Sequence, residues 1–131
     1  MGVIVAEEKH ILVIPTNRDA TAAISSASLE VQEARSLGYD IPLVVIETDS
    51  SDHVKNNAAA LRECRNQDGR LNTIHLTIER QRRIIHRIFA SESDHCWRSL
   101  FLRGSKDYGT AMNKCFLYSI ALGADVVHRR D

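Results

Sequence analysis

Paired cysteines are missing from this sequence. It has three cysteines, Cys64, Cys96 and Cys115, and no two of them share a motif spacing. An odd, scattered set excludes a disulfide framework and a Cys-x-x-Cys metal or redox site, and it suits a reducing compartment. Also missing is any apolar run of membrane-spanning length. The N-terminus places Glu7, Glu8 and Lys9 ahead of the main apolar run, which a secretory signal would not do. Met1-Gly2 begins a myristoylation pattern, but Ala6 occupies the position where serine or threonine is required. A cytoplasmic protein without membrane partners is therefore expected. Net charge is absent too: 17 Lys and Arg balance 17 Asp and Glu, so bulk attraction to nucleic acid is not implied. The six glycines form neither a P-loop nor a dinucleotide fingerprint.

What is present is alternation. His10 to Pro15 is a short Ile- and Val-rich run that reads as a buried strand. Asp19 or Thr21 can cap a following helix whose Ile24, Ala27, Val31 and Ala34 share one face, and Gly38 closes it. Pro42 opens a second apolar strand, Leu43 to Ile46, which leads into the acidic, hydroxyl-rich turn Glu47-Thr-Asp-Ser-Ser-Asp52. Ser51 or Asp52 then caps a helix predicted to turn Val54, Ala58, Leu61 and Cys64 inward. Leu71 to Leu76 forms a weaker third strand, broken in its apolar pattern by His75. Thr77 to Ser91 has helical spacing, with Ile78, Ile85, Ile88 and Phe89 on one side and Arg80, Arg82, Arg83 and Arg87 on the rest. Residues 92–106 read as irregular or partly helical, anchored by Trp97, Leu100, Phe101 and Leu102. Strands alternating with helices over one domain, residues 1–131, predict an α/β fold: a Rossmann-like three-layer α/β/α arrangement on a mainly parallel sheet.

The last stretch carries the chemistry. Gly109 opens a helix with Met112, Cys115, Phe116, Ser119 and Ile120 at apolar spacing; Gly123 stops it, and Ala124 to His128 reads as a strand. That strand delivers Arg129, Arg130 and Asp131 to its carboxyl end, where ligands of open α/β sheets bind. Guanidiniums suit phosphate oxygens and a carboxylate suits a hard divalent cation.

Three landmarks together resemble the nucleotide-binding half of GT-A-type glycosyltransferases of the broad family-2 kind. Ile11-Leu-Val-Ile-Pro-Thr-Asn-Arg18 is similar to the opening strand and its exit. Val44-Val-Ile-Glu-Thr-Asp-Ser-Ser-Asp52 is similar to the second strand and its acidic turn. Residues 109–131, with Asn113 inside the helix and Gly123-Ala-Asp-Val-Val127 after it, are similar to the segment leading to a DxD-type motif. The resemblance implies a nucleotide-diphospho-sugar ligand and glycosyl transfer to an acceptor it does not identify. It places Pro15, Thr16 and Arg18 in the nucleoside pocket, with Glu47 and Asp49 holding base or ribose. Asn113 would face ligand, Arg129 or Arg130 phosphate, and Asp131 a Mn²⁺ or Mg²⁺ ion. It assigns no catalytic residue. It also implies that the first and fourth strands are neighbours.

Three departures qualify the likeness. Glu47 stands in place of the usual Asp, Asp107 stands near where relatives carry an arginine, and no second acid follows Asp131. The expectation is a fragment of a longer enzyme, binding nucleotide weakly and transferring little or nothing. One alternative is a non-catalytic α/β module that forms a homodimer through its terminal strand edge. Another is a nucleic-acid binder using Arg80, Arg82, Arg83 and Arg87, which lack interleaved aromatic side chains. The histidines, with Asp94-His-Cys96, show no zinc-ligand spacing.

Overall fold

The computed structural model describes residues 8–49, 51–91, 93, 95–102 and 108–130. Four strands and five helices follow in the order β1 (His10–Thr16), α1 (Thr21–Ser36), β2 (Leu43–Glu47), α2 (His53–Gln67), β3 (Thr73–Leu76), α3 (Ile78–Ile88), α4 (His95–Leu102), α5 (Tyr108–Ala121) and β4 (Val126–Arg129). The strands form one sheet in the order β3-β2-β1-β4, and every pair is parallel.

Continuous apolar runs such as Leu43–Ile46 exist because both faces of the sheet are covered. On one face Leu12, Ile14, Leu43 and Val45 pack against Ile24, Ala27 and Val31 of α1 and Leu61 and Cys64 of α2. On the other, Ile11, Val13, Val44, Ile46 and Leu76 pack against Ile85 of α3 and Cys115 and Tyr118 of α5. The result is an α/β domain of Rossmann-like, three-layer form. Among the described residues no helix is long and apolar enough to cross a membrane.

Two glycines end helices where only a left-handed residue fits. Gly38 has φ +93° and Gly123 has φ +77°. After α1, Tyr39 N–H donates to Ala34 O and Gly38 N–H to Arg35 O; after α5, Ala124 N–H donates to Ser119 O and Gly123 N–H to Ile120 O. Both are Schellman caps, which satisfy carbonyls that the helix leaves over. The second cap turns the chain straight into β4.

Helix faces depart from the apolar spacing in three places. The inward face of α2 is Asn57, Ala60, Leu61 and Cys64, while Val54 and Ala58 are only half-buried. α5 buries Lys114, Cys115, Tyr118 and Ser119 and leaves Phe116 54 % and Ile120 73 % exposed. In α3 Gln81 and Ile85 face inward, and Ile88 is exposed. Asn57, Gln81 and Ser119 occupy inward positions because bonding partners wait there, a fact that hydrophobic periodicity cannot register. Trp97 is exposed rather than anchored. Phe101 does pack, stacked on Phe89 with ring centroids 5.7 Å apart.

Candidate functional site at the carboxyl edge of the sheet

The chain winds from β1 to β2 to β3 on one side, then returns to place β4 on the free side of β1. Between β1 and β4 the winding direction reverses. In open α/β sheets ligands bind at such a reversal, outside the carboxyl ends of the strands. The register pairs Val13 with Arg129, and Arg130 N–H donates to Val13 O at 2.9 Å. By that register Arg129 stands beside Val13, and Thr16–Arg18 lie further along toward the carboxyl edge.

The β1 exit is shaped by Thr16. Its hydroxyl donates to Arg18 O at 2.8 Å and accepts from Arg18 N–H at 3.1 Å, so it folds the turn upon itself. Thr16 O accepts both the N–H and the hydroxyl of Thr48, which fastens the β1 exit to the β2 exit. Pro15 is half-buried beside Ile46, and Arg18 is exposed.

Glu47, at the end of β2, is the hub of the edge. It is fully buried. Oε1 accepts from Asn57 Nδ2 at 2.9 Å and pairs with His75 Nε2 at 2.9 Å; Oε2 pairs with His53 Nε2 at 3.1 Å. Gln81 Nε2 donates to the backbone carbonyl of Glu47 at 2.6 Å and to Leu76 O at 2.7 Å. A buried carboxylate is tolerable only with such a set of donors. Glu47 thus acts through the side chains it holds, and Asp49, half-exposed with Oδ1 3.2 Å from His53 Nε2, is the more accessible carboxylate of the β2 exit. Ser51 Oγ closes on His53 Nδ1. Asn57 does more than touch Glu47: its Oδ1 accepts from Ala20 N–H at 2.8 Å and its Nδ2 also donates to Arg18 O at 3.1 Å. One asparagine of α2 therefore ties the β1 exit, the start of α1 and the β2 hub together.

Strand alternation sends the two arginines of β4 to opposite faces. Arg129 lies on the α5 side, with its guanidinium 3.0 Å from Met112 Sδ. Arg130 lies on the α1 side, paired with Glu30 and donating to Ser26 Oγ at 2.7 Å. Asn113 is exposed on the second turn of α5. Asp131, expected to ligate metal, lies outside the described residues, as does Ser50 of the acidic turn. Among the described residues no group of three or more His, Cys, Asp or Glu side chains is arranged to hold a metal ion. Glu47 and its histidines are committed to one another, so the described donors do not fit a divalent cation.

His53, Asn57, His75 and Gln81 all bear on this edge and were not expected to. His75 left one trace, as the polar interruption of an apolar strand. The others sit at positions that read as ordinary helix surface until the fold brings their partners to them.

Two grooves flank β3 rather than the switch point. One of about 500 Å³ is lined by Leu61, Arg65, Thr73 and His75. Another of about 510 Å³ lies between α3 and α5, floored by Ile74, Ile84 and Leu122 under Arg83 and Arg87. Arg82, Arg83 and Arg87 are exposed on α3, and Arg80 donates to His75 O at 3.3 Å.

The fold defines a class: a parallel α/β domain with a topological switch point between β1 and β4. The chain belongs to DUF6271, described as a family of unknown function, whose sequence profile matches residues 8–131. Comparisons with curated proteins and with solved structures yield no match.

Proposed function

We propose that this domain binds a nucleotide-diphospho-sugar in the crevice between the exits of β1 and β4, as the donor-binding half of a glycosyltransferase. The observation that supports the reading is the pairing of β1 with β4, which makes a topological switch point between those two strands. The nucleoside would lie along the β1 and β2 exits, over Pro15 and Thr16 and beside Asp49. A carboxylate such as Asp49 can accept from an imide N–H or a ribose hydroxyl. Glu47 would hold this wall in place from beneath. The diphosphate would lie toward β4 and α5, where cationic side chains can neutralise the charge of a departing nucleoside diphosphate. The nature of the ligand rests on the motif resemblance; its place rests on the sheet order. A Mn²⁺ or Mg²⁺ ion enters this reading only through Asp131, and no step is derived through it.

The test is calorimetric titration of the whole chain with UDP-, GDP- and ADP-sugars, with and without Mn²⁺. Saturable heat for one base at sub-millimolar concentration supports the proposal. Absence of heat for all three at several millimolar overturns it.

The edge position of β4 favours a second reading, a homodimer joined through that strand. Light scattering that shows a stable dimer indifferent to nucleotide would support it.

A further inference from the structure

β3 ends the sheet on the side away from β4, and among the described residues no strand pairs with its outer side. Leu43 N–H donates to Asn72 O at 2.9 Å. The alternation of a parallel ladder then turns the amides and carbonyls of Ile74 and Leu76 toward β2, and those of Thr73 and His75 outward. Among the described residues, the one partner of these outward groups is the Arg80 guanidinium, whose Nη1 reaches His75 O at 3.3 Å. A row of open backbone groups on a sheet edge is a template for a further strand.

A groove flanks this edge on each face of the sheet, and the pleat divides their linings. Thr73 and His75 turn to the α2 side, where the groove of about 500 Å³ is also lined by Arg62, Arg65 and Arg80. Ile74 and Leu76 turn to the α3 side, where the groove of about 510 Å³ adds Ile84 and Leu122, with Arg83 and Arg87 beside them. A strand laid along β3 would send its side chains alternately into these two spaces. Among the described residues no aspartate or glutamate lines either groove. Arg62, Arg83 and Arg87 are exposed and make no ion pair among the described residues. The chain as a whole carries no net charge, so cations gathered at one edge without acids among them make a local positive field.

We propose that the outer edge of β3 binds an extended peptide of alternating apolar and acidic residues, which joins the sheet as a fifth strand. Its backbone pairs with Thr73 and His75 and replaces the long contact from Arg80. Its apolar side chains, best β-branched, cover Ile74, Leu76 and Leu122 on the α3 side. Its carboxylates meet Arg62 and Arg65 on the α2 side. Backbone bonds supply affinity, and the two unlike grooves set the register, since a slip of one residue puts carboxylates on the apolar floor. A nucleic-acid backbone would satisfy the arginines but leave that floor uncovered. The inference does not rest on the donor reading, which concerns the opposite edge of the sheet.

The probe is a fluorescein-labelled nonapeptide of alternating valine and glutamate, titrated into the whole chain and followed by anisotropy. Saturable binding is expected, and a lysine-for-glutamate copy should not bind. Two further copies are N-methylated, one at every valine and the other at every glutamate. Only one set of amides can face β3, so one copy should bind at least about 10-fold more weakly and the other should be unaffected. In the protein, Arg62→Glu combined with Arg65→Glu, and separately Leu122→Glu, should each weaken binding about 10-fold; all three positions are exposed. On the wild-type chain, bound peptide should slow amide hydrogen exchange at Thr73 and His75. No saturable binding at millimolar peptide, or binding that survives both N-methylated copies, overturns the proposal. So does an oligonucleotide that displaces the peptide and binds more tightly, which would assign these arginines to nucleic acid.

Discussion

Replacing Asn57 by alanine tests whether the carboxyl edge is built as a single bonded unit. The side chain is fully buried and makes three hydrogen bonds, from Ala20 N–H at 2.8 Å, to Arg18 O at 3.1 Å and to Glu47 Oε1 at 2.9 Å. Alanine strands the Ala20 amide, in a residue 8 % exposed, at a cost of about 1–3 kcal/mol. It also removes one of three donors from the buried Glu47 carboxylate, roughly another 1.5–3 kcal/mol. These losses share partners and will not add fully, so the expected total is about 3–4 kcal/mol. For a chain of this length that lowers Tm by roughly 10–15 °C. Urea denaturation followed by circular dichroism reads the change directly. Asn57→Asp sharpens the test, since it keeps the acceptor for Ala20 but sets a second carboxylate against Glu47. Two such carboxylates share a proton, so the pair's folded pKa is raised. The stability of Asn57→Asp should then be lower than wild type at neutral pH and recover as the pH falls toward about 4. A loss under about 1 kcal/mol in the alanine variant, or an aspartate variant without acid recovery, would refute the account of this edge.

Other perturbations probe separate parts of the argument. Gly123→Ala should cost about 1–2 kcal/mol from the left-handed backbone alone, since a Cβ there meets nothing within 4 Å, and Gly123→Asn should recover part of it in the same melt. The Asp68 carboxyl is held below its ordinary value chiefly by its hydrogen bond from Arg35. That contribution is full above about pH 4 and disappears as the pH falls below it, so Arg35→Met should flatten the acid limb of the stability curve. At the alkaline end Lys114, lowered by burial, should make stability rise with pH up to its ordinary value of 10.5, since the unfolded chain alone holds the proton there. Tyr118, raised by burial, should make stability fall above 10.0, where only the unfolded chain ionises. Lys114→Met should abolish the rise and Tyr118→Phe the fall, each followed by urea denaturation across pH.

The order and kind of elements follow from the residues themselves. Ile11–Ile14 and Leu43–Ile46 are too short and too uniformly apolar to be anything but covered strands, and Gly38 and Gly123 stop their helices because only glycine takes that backbone turn without strain. A parallel α/β domain was legible on those grounds, and so was the adjacency of the first and fourth strands, through the motif resemblance. Which side chain faces which partner was not. Apolar spacing turned Phe116 and Ile120 inward, whereas α5 buries Lys114 and Tyr118, because its docking angle is set by β1, α3 and the reach of Tyr118 to Gln81. Periodicity likewise passed over Asn57, whose partners stand 37, 39 and 10 residues away in the chain. Local propensity and hydrophobic period act over a few residues, so they determine elements. A buried hydrogen bond is decided by groups distant in sequence, and only the assembled sheet brings Glu47, His53, Asn57 and His75 to one point.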